Sequence, residues 1–202
     1  MMKYLIQFLI LTLSLTACNS KKTLFEKLSS SETNITFNNK ISISDSLNVL
    51  KFEYIYNGAG VGVGDVNGDG LSDVFFAGNQ ISSKLYLNKG DMNFEDITLS
   101  AHVETQLWCT GVAMVDVNQD GKLDIFVSTI SPKIDKFVPK LLFINQGNNA
   151  DGIPIFKESA KEIGLADESY GTQAAFLDYD LDGDLDIYLL TNAVESYNRN
   201  NN

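Results

Sequence analysis

Histidine, tryptophan, proline and cysteine are all scarce in this sequence. The 202 residues hold one histidine, one tryptophan, three prolines and two cysteines. Two cysteines allow one disulfide at most, so no disulfide framework organises the fold. One histidine excludes the two-histidine HExxH zinc pattern, and neither a Ser-His-Asp arrangement nor a phosphate-binding P-loop is visible. That histidine, His102, lies in Ser100-Ala101-His102-Val103, a context that reads as a linker. Positive charge is scarce as well: 15 Lys+Arg stand against 26 Asp+Glu, a net charge of −11. A chain of that sign repels phosphate backbones and anionic head groups, which argues against nucleic acid as a partner. A strong helical period is also missing. The apolar run from Tyr4 to Leu15 falls short of the roughly 18 residues that a membrane-spanning helix needs.

That run has a different meaning. Lys3 gives a positive start, the run supplies an apolar core, and Leu15-Thr16-Ala17-Cys18 follows directly. The order is that of a secretory signal over residues 1–17. The last four residues resemble a bacterial lipobox, which implies cleavage before Cys18 and acylation of Cys18 as the mature N-terminus. Residues 18–34, rich in Ser, Lys, Thr and Asn, then read as a tether. The expected location is the cell envelope, anchored by lipid at the outer membrane, with the periplasmic and surface faces both open. With Cys18 acylated, Cys109 has no disulfide partner. Its neighbours Leu107-Trp108-Cys109-Thr110 suit a small buried residue better than a nucleophile.

Internal repetition dominates the rest. Asp65-Val66-Asn67-Gly68-Asp69-Gly70-Leu71-Ser72-Asp73 aligns without gaps to the segment Asp116 to Asp124 and to the segment Asp178 to Asp186. Each acidic segment is preceded by a run containing small residues, such as Gly60-Val61-Gly62-Val63-Gly64. Each is followed by an apolar run: Val74-Phe75-Phe76, Ile125-Phe126-Val127 and Ile187-Tyr188-Leu189-Leu190. Short runs of this kind read as buried strands. The outer half repeats too: Leu85 to Gly90 matches Leu142 to Gly147, and Asn93 to Asp96 matches Ile155 to Glu158. One unit is therefore strand, acidic loop, strand, linker, strand, Gly turn, strand. The third unit shows only its first two strands, over Thr172 to Asp178 and Leu185 to Leu190. The stretch from Glu158 to Leu165 suits one or two helical turns. The alternations Ile35-Thr36-Phe37 and Ile41-Ser42-Ile43 suggest short strands docked on the first unit, and residues 199–202 form a polar tail.

Alternating acids on a tight loop converge on one point, which suits a hard divalent cation with flexible oxygen ligands, calcium above all. The candidate ligands are Asp65, Asn67, Asp69 and Asp73; Asp116, Asn118, Asp120 and Asp124; and Asp178, Asp180, Asp182 and Asp186. Glycine at position six permits the sharp turn. Position twelve is Phe76, Val127 or Leu189, where an EF-hand needs a bidentate Glu, so the EF-hand reading fails. The third loop is expected to bind tightest, because Asp180 replaces the neutral Asn67 and Asn118.

These loops resemble the FG-GAP/VCBS repeat, the calcium-loop blade also found in integrin α-subunit propellers. With Leu85-Tyr86-Leu87-Asn88 and Phe94-Glu95-Asp96, the chain is similar to FG-GAP-like lipoproteins of Bacteroidetes, related to the cartilage acidic protein (ASPIC/UnbV) group. The resemblance covers roughly Phe25 to Asn198. It implies an all-β fold of β-propeller blades over residues 35–198, about three of them, and Ca2+ at the loops. Propellers close with about four to eight blades, so the expectation is the N-terminal part of a longer propeller. The alternative is a small open β-stack with an extra sheet from residues 35 to 56. The function so implied is a lipid-anchored module binding a glycan or protein, without catalytic residues. The alternative is the propeller portion of a carbohydrate-active enzyme whose catalytic residues lie elsewhere.

If the lipobox is used, mass spectrometry of the mature N-terminal peptide finds Cys18 acylated. Cys18→Ser then moves the protein from the membrane to the soluble fraction. An unmodified Cys18, or cleavage elsewhere, is the contrary result.

Overall fold

The computed structural model describes residues 23–133 and 136–192. The expected signal, Cys18 and the polar tail lie outside the described residues. Among the described residues ten antiparallel strands form three sheets. The first sheet is β1 (Val61–Gly64), β2 (Asp73–Phe76), β3 (Lys84–Asn88) and β4 (Phe94–Asp96), in that spatial order. The second repeats the order with β5 (Trp108–Val115), β6 (Asp124–Ile130), β7 (Leu141–Asn148) and β8 (Pro154–Glu158). The third pairs β9 (Gly171–Leu177) with β10 (Asp186–Thr191). These are propeller-like blades, all β in character, and they do not close into a barrel. The expected unit and its strand order are borne out in both four-stranded sheets.

Alternation along the strands decides which side chains meet the neighbouring blade. Side chains on a strand point to opposite faces with a period of two. In β2, Phe75 faces the second blade and is fully buried; in β6, Ile125 and Val127 face back toward it. Phe126, on the other face of β6, packs with Ala174, Phe176, Ile187 and Leu189 of the third blade. The Phe126 and Phe176 rings meet edge to face at 5.5 Å, a favoured aromatic geometry. Tyr188 occupies on β10 the register position of Phe75 and Phe126, and it is 66% exposed.

Glycines on and just before the first strands of the first and second blades let these faces close. A Cβ on Gly60 would lie 2.5 Å from the Val112 backbone nitrogen, and one on Gly111 would lie 2.5 Å from the Thr172 carbonyl. Gly62 meets only side chains, the nearest being Val112 at 2.8 Å.

The segment before the first blade is held partly in place. Ser29 and Glu32 cap a helical turn, Ser30–Thr33, with the Ser29 N–H donating to the Glu32 carboxylate at 2.8 Å. Ile35, Phe37, Asn39 and Ile41 then alternate inward. Phe37 stacks on Phe76 with centroids 5.1 Å apart, and Asn39 and Asn79 exchange hydrogen bonds. The expected docking on the first unit is found, but residues 35–43 join no ladder, and no extra sheet forms from residues 35–56. The helical turn Ala160–Ile163 matches expectation. Its counterpart Thr98–Ala101 was not foreseen, and it gives His102 a place in the repeat. His102 and Gly164 are equivalent left-handed caps, with φ of 61° and 83°.

One lysine is built into the frame. Lys140 is fully buried at the start of β7. Its ammonium donates to the carbonyls of Asp167 and Ser169 and lies 3.6 Å from the Asp167 carboxylate. Burial pulls its pKa down, opposed by the Asp167 charge. It ties the second blade to the chain entering the third.

The glycine contacts predict an order of cost. Gly60→Ala forces backbone apart and should lose about 1–3 kcal/mol of stability. Gly62→Ala meets side chains that can turn, and should lose less. Urea midpoints measure both, and equal losses would show that backbone approach is not the constraint.

Candidate metal centre

Each acidic loop leaves the first strand of its blade and turns back into the second. In every one, positions four and six take left-handed φ: 77° and 85° at Gly68 and Gly70, 58° and 83° at Gln119 and Gly121, and 63° and 96° at Leu181 and Gly183. Glycine at position six was expected on this ground. Position four was not, and there Gln119 and Leu181 hold a conformation that side chains disfavour. The Gln119 amide offsets this by donating to the Gly183 carbonyl at 2.6 Å, joining the second loop to the third.

The first two loops share one hydrogen-bond plan. Asp65 accepts from the N–H groups of Gly68 and Gly70 at 2.7 and 2.8 Å, and Asp116 accepts from Asp120 and Gly121 at 3.0 and 2.8 Å. Asn67 and Asn118 accept from the N–H of Asp69 and Asp120, each at 3.1 Å. The Asn67 amide lowers the pKa of Asp69, and Lys122 lowers that of Asp120 through a 2.6 Å contact.

Position nine faces the sheet. Asp73 and Asp124 are fully buried. One oxygen of Asp73 accepts from Val66 N–H at 2.9 Å and the other from Asn88 N–H at 2.8 Å. Asp124 does the same with Val117 at 3.0 Å and Asn145 at 2.8 Å. Burial raises both carboxyls above their ordinary range, opposed by these donors. Both residues therefore lock the loop to the third strand of its blade. Sequence reasoning did not single out Asn88 and Asn145 as partners, although both sit in the repeated Leu-Asn and Ile-Asn pairs. The Asn145 side chain also donates to Val66 O at 2.8 Å, binding the second blade to the first loop.

The third loop departs from that plan. Asp186 accepts from Tyr179 N–H at 2.9 Å, the counterpart of the Val66 and Val117 bonds. No third-strand amide reaches it among the described residues. Asp178 accepts from Gly183 N–H at 3.2 Å, while its other carboxylate oxygen is buried without a hydrogen-bond partner among the described residues. Oxygens of Asp178, Asp180 and Asp186 lie within 4.8 Å of one another, the one such group of His, Cys, Asp or Glu among the described residues. Asp182 is not in that group; its charge raises the pKa of the neighbouring Asp184. A buried carboxylate oxygen without a donor, beside two more carboxylates, fits a hard cation that accepts oxygen ligands.

Residues 53–127 match the FG-GAP-like repeat, which spans the first blade and the inner half of the second. Repeats of this kind typically bind calcium, and the match points to a binding or interaction module. The chain is 30% identical over 132 residues to cartilage acidic protein 1 of Xenopus tropicalis, covering 65% of this chain and 19% of that protein. It is 39% identical over 69 residues to cartilage acidic protein 1 of Homo sapiens, covering 34% of this chain and 10% of that protein. The chain thus spans about a fifth or less of the curated relatives it matches.

The lock at position nine can be separated from metal binding. Asp124→Asn replaces one acceptor by a donor facing an N–H, and should lose about 1–3 kcal/mol even in chelator. Chemical denaturation in EDTA measures it, and an unchanged midpoint would remove the lock.

Proposed function

We propose that this chain is a calcium-binding propeller module of the cell envelope, anchored through lipid on Cys18, that binds a glycan or protein ligand and performs no chemistry itself. The observation that carries the calcium part is the convergence of Asp178, Asp180 and Asp186 around an oxygen without a donor. Clustered carboxylates repel one another, and a divalent cation relieves that repulsion. In the first two loops the side-chain oxygens of Asp65, Asn67 and Asp69, and of Asp116, Asn118 and Asp120, offer sites of lower charge. Lys122 competes for Asp120 in the second.

Support for the anchor comes from the sequence order alone: Lys3, the apolar core, then Leu15-Thr16-Ala17-Cys18. Support for a binding role comes from the repeat type. Calcium in this reading stiffens the loops that join the first two strands of each blade.

A ligand that binds only the native state stabilises it by mass action, by about 2.7 kcal/mol at a hundredfold excess over its Kd. Calcium should therefore raise the melting temperature above that in chelator. Asp178→Asn should keep the chelator melting point, since it removes a repelling charge, and should lose the tightest calcium site in titration calorimetry. Equal melting with and without calcium, and no bound metal, would contradict the reading.

A further inference from the structure

A cleft opens at the end of the strands away from the acidic loops. β5 starts at Trp108 and ends at the Asp116 loop; β9 starts at Gly171 and ends at the Asp178 loop. The lining residues Trp108, Thr110 and Thr172 belong to the starting ends, and Asn192 follows the last residue of β10. Tyr54 and Asn57 reach it from the 3₁₀ turn Glu53–Tyr56 and the residue after it. The cleft holds about 160 Å³. That is below the roughly 300 Å³ at which sites for drug-sized ligands begin, so it suits one small ring better than an extended segment.

Three features of the lining define the ligand. First, among the described residues no charged side chain lines the cleft, so none of them pairs with a carboxylate, phosphate or ammonium group. Second, its aromatic wall is rigid: Phe52 meets Tyr54 edge-on at 6.0 Å and Trp108 at 5.1 Å. Trp108 is buried in this cluster and Tyr54 half-buried, so the wall is an apolar aromatic surface with, in tyrosine, a polar tip. Third, hydrogen-bonding capacity is left over. Among the described residues, the side-chain amides of Asn57 and Asn192 make no hydrogen bond, and each can both donate and accept. Thr110 and Thr172, which line the cleft, spend their hydroxyl protons on the carbonyls of Gly171 and Leu190, at 2.8 and 3.1 Å, and so have only acceptor capacity left for a ligand. A ligand that is neutral, ring-shaped, apolar on one face and rich in hydroxyls answers all three.

We propose that this cleft between the second and third blades binds one neutral sugar ring of a glycan. The assignment rests on the binding-module reading above and gives that module its ligand class and its place. Ligand and cation then bind at opposite ends of the same strands, so the loops hold the blades while the cleft reads the sugar.

Trp108 is the one tryptophan in the chain, so its emission reports on the cleft directly. The full chain is titrated in calcium with neutral hexoses, N-acetylhexosamines and their short oligomers. At least one should change Trp108 emission saturably. Asn57→Ala and Asn192→Ala should each weaken that binding about tenfold, the scale of one lost hydrogen bond, with melting unchanged. Silence from every sugar, unaltered affinity in both variants, or a response confined to neutral peptides overturns the assignment. Calcium bound by the same sample without any sugar response removes the cleft assignment and leaves the calcium reading standing.

Discussion

The buried aspartate at position nine is the constraint on which the blades depend. A carboxylate out of water is costly unless hydrogen bonds satisfy it. Asp73 and Asp124 meet that condition by taking one N–H from the start of their own loop and one from the third strand of their own sheet. The loop is therefore shaped by the sheet around it. The side chains of Asp65, Asn67 and Asp69 are set by backbone donors within a loop whose two ends are already fixed. The third unit shows the same residue with half of the arrangement. Asp186 takes the loop N–H but no strand N–H among the described residues, and it is there that three carboxylates draw together.

Blade stacking follows from a second economy. The first strands of the first and second blades carry small residues where the next blade meets them. Gly60, Gly62 and Gly64 receive Val112, Met114 and Leu123. Gly111 lies against Thr172 and Gln173. A glycine-lined face of one blade thus receives the next, and the contact is made twice in the described chain. Lys140 and Asn145 add polar ties across the same two junctions. Burial of apolar side chains on this scale supplies most of the driving force, and the polar ties fix which blade meets which.

Much of this was legible in the residues because the repeat is a physical one. Loop, strand and turn recur at matching offsets, so the two complete sheets and their order could be read from Asp65, Asp116 and Asp178 outward. Glycine at position six announced its positive φ. Other features carried no such mark. The inward turn of Asp73 and Asp124 depends on amides of Asn88 and Asn145, 15 and 21 residues away, and an acidic loop looks the same whether its last carboxylate faces a cation or a strand. The left-handed cap at His102 was hidden because histidine stands where Gly164 stands in the next unit. Phe37 on Phe76 was readable as alternation but not as a strap outside the ladder. The cleft was the least legible, since Tyr54, Trp108, Thr172 and Asn192 meet only through the stacking of separate units.

Amide hydrogen exchange in calcium and in chelator tests the central claim most directly. The account predicts that the N–H groups of Val66, Asn88, Val117 and Asn145 stay protected in chelator, because buried carboxylates hold them. Those of Tyr179 and Gly183 should gain protection only with calcium. Loss of protection at Val117 and Asn145 on chelation, or an equal response from all three loops, would contradict it.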